Sequence, residues 1–208
     1  EIESDITTLI KNYLDAKQKV SMDEMKECVS DISKIDEKRL VTEAEYIEEY
    51  KNIECTICDD GLSDGIFRVY VYYEAKIYDI DTLVPSLTAL VVTGTPEGKF
   101  LINLSKIDSK DQRAIDKLDN SDEIKKKIDS VQKKLEDIVS KNADVRDFYQ
   151  MLESTNQDSN EENNENIGNE AGSAAQQQQA ADPNQAAPTV DPNQAAATTD
   201  PNQAQPAQ

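Results

Sequence analysis

Residues 65–104, GIFRVYVYYEAKIYDIDTLVPSLTALVVTGTPEGKFLINL, decide the fold, because they carry the strong two-residue period of the chain. Phe67, Val69, Val71, Tyr73, Ala75 and Ile77 alternate with Arg68, Tyr70, Tyr72, Glu74, Lys76 and Tyr78. Side chains along a strand point to alternate faces, so the first set predicts a core face and the second an amphipathic one. After a connection from Asp79 to Pro85, Thr88 to Thr93 is a second β-branched run. Thr95-Pro96-Glu97-Gly98 then reads as a turn into a third strand, Lys99 to Leu104. Three adjacent antiparallel strands are expected.

Working back towards the N-terminus, Ile53 to Cys58 reads as a further strand, joined through Asp59 to Gly65 with Gly61 and Gly65 supplying positive φ. Ile6, Leu9, Ile10, Tyr13 and Leu14 form one helical stripe, which predicts a first helix over Ser4 to Lys19, capped by Ser4 or Asp5. Ser21 and Glu24 have capping-box spacing ahead of Met25, Cys28 and Val29, so a short second helix follows. A third helix is expected over Ser33 to Lys51, with Ile35, Leu40, Ala44 and Ile47 facing the core.

Beyond the sheet, Ile107 to Leu118 reads as a partly helical connection and Ser121 as the start of a strong helix. Ile124, Ile128, Val131, Leu135 and Ile138 keep one narrow seam over that helix. The seam could form a homodimer or pack on its own domain; fewer than three heptads favour the second. Asp144 to Leu152 is a last short helix, set off by Asn142 or Asp144. The fold class is therefore α+β, N-terminal helices on a curved antiparallel sheet, forming one domain over residues 1–153. Residues 154–208 are rich in Gln, Ala, Asn and Pro, with Asp-Pro-Asn-Gln-Ala recurring at 182, 191 and 200. Such a segment buries too little to offset chain entropy and is expected to be a disordered spacer.

The formal charge is −20, and residues 151–208 carry nine acidic and no basic side chains, leaving −11 for the remainder. This acidity argues against nucleic-acid and anionic-membrane partners and otherwise reads as a solubility feature. No apolar run reaches the roughly 18 to 20 residues that span a bilayer. The chain starts at Glu1, which suggests that a leader or anchor has been removed.

The absence of His removes Ser-His-Asp and Cys-His catalysis, and with three Cys it argues against a zinc site. Cys55 and Cys58 form a CxxC, but on a strand they point to opposite faces, too far apart for a disulfide. Cys28 could pair with either in an oxidising compartment. With Asp60 first in a calcium loop, Leu62 falls at position three and Val71 at position twelve, so the motif fails. Asp79 and Asp81 read better as turn caps than as cation ligands. No metal and no cofactor is expected. By elimination, the candidate ligand-binding residues are Tyr70, Tyr72, Glu74 and Asp81. For the tyrosine face, packing on a solvated sheet is favoured over the lining of a cavity.

The N-terminal DITTLIKNYLDA, the YIEEYKNIECTI junction, the VYVYYEAKIYDIDT strand, LVPSLTALVV and EGKFLIN together resemble uncharacterised extracytoplasmic proteins of Gram-positive Firmicutes, over about residues 4–150. These resemble the nuclear transport factor 2-like superfamily of α+β cones, which includes the ketosteroid isomerase type. The resemblance implies a cone-like sheet and an extracytoplasmic location, membrane-anchored or secreted, and it brings no catalytic motif. The expectation is a non-enzymatic binding or structural module at the cell envelope, with a protein or cell-wall component as partner. The alternative is a cone-fold isomerase or dehydratase acting on a small apolar substrate, with Glu74 or Asp81 as base and a Tyr as donor.

Overall fold

The computed structural model describes residues 1–158. Helices α1 (Ile2–Gln18), α2 (Met22–Lys26) and α3 (Glu37–Ala44) precede strands β1 (Ile47–Cys58), β2 (Ile66–Ile77), β3 (Val84–Gly94) and β4 (Phe100–Ile102). Helices α4 (Ser109–Asp119), α5 (Asp122–Lys141) and α6 (Ala143–Asp158) follow. The strands form one antiparallel sheet in the order β1-β2-β3-β4, curled into a half-barrel, so the expected α+β class is the observed one.

Both predicted glycine turns hold, with Gly61 at φ 79° and Gly65 at φ 78°. Ser21 caps α2 as its spacing requires, its hydroxyl accepting from the Glu24 amide. Helix α1 starts two residues before the predicted Ser4, without a side-chain cap. The predicted third helix is cut short. Its first residues form a 3-10 turn at Ile32–Lys34, Asp36 caps α3, and from Ile47 the chain is already strand. Pairing of Ile47 with Ile77 and of Tyr50 with Ala75 outweighs the helical leaning of a Glu-rich segment.

One face of the sheet packs on the N-terminal helices. Ile6, Ile10 and Met25 meet Val69, Val71 and Val92 in the main core, all with no exposed surface. At about 25 cal/mol per Å² of apolar surface, each such side chain contributes about 1.5–3 kcal/mol. The other face was expected to be solvated, and it is covered. Helix α4 brings Ile115 onto Val91, and α5 brings Ile124 and Val131 onto Tyr70, Leu87 and Ala89. An amphipathic strand accepts a second layer when its polar members find partners, as Arg68 and Tyr70 do below.

The α5 seam thus packs on its own domain: Ile124, Val131 and Leu135 are buried, and Ile128 and Ile138 pack beside them. Asn142 ends α5, and its Oδ1 accepts from the Val145 amide at 3.0 Å to start α6. Helix α6 closes one end of the sheet through Val145, Phe148 and Tyr149, packed with Ile77, Ile80 and Val84. It runs past the predicted boundary at residue 153 to Asp158. The repeat segment lies outside the described residues.

Candidate ligand-binding cleft

The second face of the sheet is tied down at one end and open at the other. At the tied end, Arg68, near the start of β2, is only 2% exposed, and an unpaired charge there would cost several kcal/mol. Asp119, the last residue of α4, answers it with two bonds: Nε donates to Oδ1 at 2.9 Å and Nη2 to Oδ2 at 2.8 Å. The Tyr70 hydroxyl donates to the same Oδ1 at 2.6 Å. Burial and then this bond to Asp119 push the Tyr70 phenol far up, so it stays a neutral donor. A second buried acid, Asp111, is fully enclosed on α4 and accepts from the Ser63 amide at 2.8 Å, which fastens the β1–β2 connection to the same helix.

Further along β2 the helix stands off the sheet and leaves a cleft of about 730 Å³, open to solvent. Its floor is built from alternate residues of two paired strands. Thr56 lies opposite Tyr70 and Glu54 opposite Tyr72, and these four, with Glu74 and Asn52, face the cleft. Leu87 adds an apolar edge from β3. The wall is α5, whose Glu123, Lys126, Lys127, Ser130 and Lys134 recur at helical spacing along the side turned to the floor. Val131 closes the bottom.

A bulge sets the detail of the floor. Between Lys51, opposite Glu74, and Glu54, opposite Tyr72, β1 holds one residue more than β2. Asn52 takes it up in the left-handed region at φ 51°, a conformation that Asn tolerates better than branched residues. The bulge aims the Asn52 amide at Glu74, where Nδ2 donates to Oε2. The Tyr72 hydroxyl donates to Glu74 Oε1 at 2.7 Å, so both carboxylate oxygens are engaged. These two bonds, with the charge of Lys134, hold the Glu74 carboxyl below the usual range against a small opposing effect of burial. Burial and the Glu74 bond push the Tyr72 phenol up. Over its ring stands Lys134, with Nζ 5.2 Å from the centroid.

Of the four residues singled out from sequence, Tyr70, Tyr72 and Glu74 line this cleft, and Asp81 does not. Asp81 is exposed on the β2–β3 connection. The bulge residue Asn52, the Arg68–Asp119 pair and the lysine wall were missed. Arg68 amid β-branched neighbours was the one legible signal of a buried ion pair; nothing in the sequence marked Asp119 as its partner. No group of three or more Cys, Asp or Glu side chains among the described residues is arranged to hold a metal ion.

The cysteines behave as small apolar residues. Cys55 packs with the N-terminal helices and Cys58 with the α5 layer, on opposite faces as the strand reading predicts. All three thiols are free, and burial raises each above its ordinary value, which disfavours a reactive thiolate.

A second polar cluster sits apart, between α1, α3 and β1. Lys17 Nζ and Glu43 Oε1 are 2.9 Å apart, and the Tyr50 hydroxyl donates to the same oxygen at 2.6 Å. Burial raises the Glu43 carboxyl, but the Lys17 charge and the Tyr50 and Lys17 bonds outweigh it and hold the group below its ordinary value. Every group here has a partner, so the cluster reads as a structural tie between helix and sheet.

No family model matches the chain, and neither does any curated protein or solved structure.

Proposed function

We propose that this protein is a non-enzymatic binding module whose ligand occupies the cleft between the β1–β2 floor and α5. The observation that carries this reading is the state of Glu74. A general base works best with a pKa near the operating pH, about 6–7 for a tuned carboxylate. Glu74 is shifted the other way and has both oxygens occupied by Tyr72 and Asn52, so it is a fixed acceptor and a poor base. Asp81, the other carboxylate considered for an isomerase or dehydratase, stands outside the cleft. An open cleft with charged walls also suits capture of a polar ligand better than the dry enclosure that such chemistry on an apolar substrate needs.

The setting of this module at the cell envelope, and the cone-like description of its sheet, rest on the resemblance of residues 4–150 to extracytoplasmic proteins. The partner there is a protein or wall component presenting a polar group of a size the cleft accepts.

The test is a ligand screen on the isotope-labelled full chain by amide chemical-shift mapping, with small sugars, amines, amino acids and short peptides. The expected result is a hit whose shifts centre on Asn52, Glu54, Tyr72 and Glu74, recovered chemically unchanged. Ligands that shift only residues away from the cleft, or a compound converted to product, would overturn the reading.

A further inference from the structure

The sheet has two edges, and among the described residues the chain bonds to only one of them. Outside β4, the Ile102 amide donates to Cys28 O at 2.8 Å and the Ser30 amide to Ile102 O at 2.9 Å, so the connection after α2 covers that edge. The other edge is β1, which pairs with β2 alone. Sheets usually blunt such an edge with charges, prolines or bulges. Here Glu48, Glu49, Lys51 and the bulge at Asn52 do so up to residue 52, but Ile53 to Cys58 continues with a single charge, Glu54.

The ladder fixes which backbone groups stand along that edge. The Tyr78 amide donates to Tyr46 O between β2 and β1, and the Asn103 amide to Val91 O beside β4. Bonding directions alternate along each strand, so both bonds require Glu54, Thr56 and Cys58 to turn N–H and C=O towards β2. Ile53, Cys55 and Ile57 therefore turn theirs outward, and no backbone bond from another element reaches them among the described residues. Their side chains pack against the main core, yet all three residues stay part-exposed, whereas Val71 and Val69 opposite Cys55 and Ile57 are closed.

We infer that β1 pairs along this edge with β1 of a second copy, antiparallel and two-fold about Cys55, joining the two sheets into one. Ile53 then meets Ile57, Cys55 meets Cys55 and Ile57 meets Ile53, each pair exchanging both of its hydrogen bonds. The outward residues are used without remainder between the bulge at Asn52 and the turn from Asp59. An axis moved one residue to Thr56 would carry Ile53 onto Asp59 in that turn and lose a pair. Charge selects the antiparallel sense: Glu54 faces Thr56, and Lys51 comes up against Asp59 and Asp60, whereas parallel pairing in register stacks Glu54 on Glu54. A foreign strand answers the same backbone groups but not this symmetry. The pairing also lays the two cleft floors side by side, since Glu54 and Thr56 belong to both edge strand and cleft.

The experiment measures the mass of the full chain by sedimentation equilibrium, and its amide exchange by nuclear magnetic resonance, in dilute and concentrated solution. The mass is expected to rise from one copy to two. Over the same range the Ile53, Cys55 and Ile57 amides should slow about tenfold, as pairing of about nine-tenths of the chains requires, while the Glu54 and Thr56 amides, bonded to β2 in both states, keep their rates. Cys55→Pro removes one outward donor, a change that edge strands tolerate, and is expected to stay monomeric with the wild-type circular dichroism. A mass of one copy at every concentration would overturn the inference, as would a dimer whose outward amides exchange freely, or a folded Cys55→Pro that still dimerises. Each of these results leaves the cleft reading where it stands.

Discussion

The two faces of β2 are built on different principles, although they share one backbone. On the face towards α1 and α2, Val69 and Val71 are fully buried among Ile6, Ile10 and Met25, so stability comes from apolar area and close packing. On the face towards α4 and α5, Arg68 and Tyr70 are held by Asp119, and beyond them the helix lifts away to leave Tyr72 and Glu74 in a cleft. The filled face is apolar and closely packed, whereas the pinned face combines a fixed attachment with an accessible polar floor. One strand thereby serves a packed core on one side and an open polar cleft on the other, because alternate residues answer to different layers.

The sharpest way to break this comparison is to remove the pin. Asp119→Ala strands the buried Arg68 guanidinium and is expected to cost about 3–5 kcal/mol in urea unfolding. A cost below about 1 kcal/mol would mean that Arg68 finds water or another acceptor, and the pinned face would lose its defining contact. Replacing the whole buried cluster by apolar groups, Arg68→Met and Asp119→Leu with Tyr70→Phe, should recover most of the loss, since a buried ion pair is often no better than well-packed hydrocarbon and Tyr70→Phe removes the hydroxyl that would otherwise be stranded. On the filled face, Ile10→Ala is expected to cost about 3 kcal/mol through lost transfer energy and a cavity. Its effect should add to that of Asp119→Ala if the two faces are independent, and strong coupling between them would contradict the division.

Smaller effects probe the cleft floor. Asn52→Val puts a β-branched residue at positive φ and is expected to destabilise by about 1–2 kcal/mol. Asn52→Gly keeps the bulge and should lose only the bond to Glu74, raising the Glu74 carboxyl towards its ordinary value in a side-chain titration. Equal stability of the two variants would show that the left-handed conformation at 52 is not what holds the bulge. The mildest perturbation leaves the chain intact and changes only pH. Because the folded Glu43 carboxyl lies below its ordinary value of 4.5, its contribution is fully present above that pH and is lost as pH falls through the folded value. Wild-type stability should therefore drop more steeply in acid than that of Glu43→Gln, with the two curves converging. Parallel curves would remove Glu43 from the account.

What could be read from sequence follows the same division. The apolar stripe of α1, the alternation of β2, the Ser21 cap and the turns at Gly61 and Gly65 are local patterns, and each was legible because neighbours in sequence fix it. The start of β1 at Ile47 was not, since strand pairing with β2 decides it over a segment whose composition favours helix. The cleft was legible in part. Tyr70, Tyr72 and Glu74 follow from strand parity, but their placement under α5 depends on Asp119 meeting Arg68 across 51 residues, and no local period encodes that contact. Asn52 escaped for a related reason: a bulge exists only relative to a partner strand. Asp81 joined the candidates by elimination, and the turn beyond β2 leaves it outside the cleft.

The proposed binding reading turns on Glu74, whose two carboxylate oxygens are engaged by Tyr72 and Asn52 and whose carboxyl is held below its ordinary value. Carboxyl carbon chemical shifts of Glu74, followed through an acid titration of the full chain and assigned with Glu74→Gln, test it directly. A midpoint below the ordinary 4.5, moving up in Asn52→Gly, is expected. A midpoint near neutrality, in the range of about 6–7 where carboxylate bases operate, would contradict it and return the cleft to the enzymes.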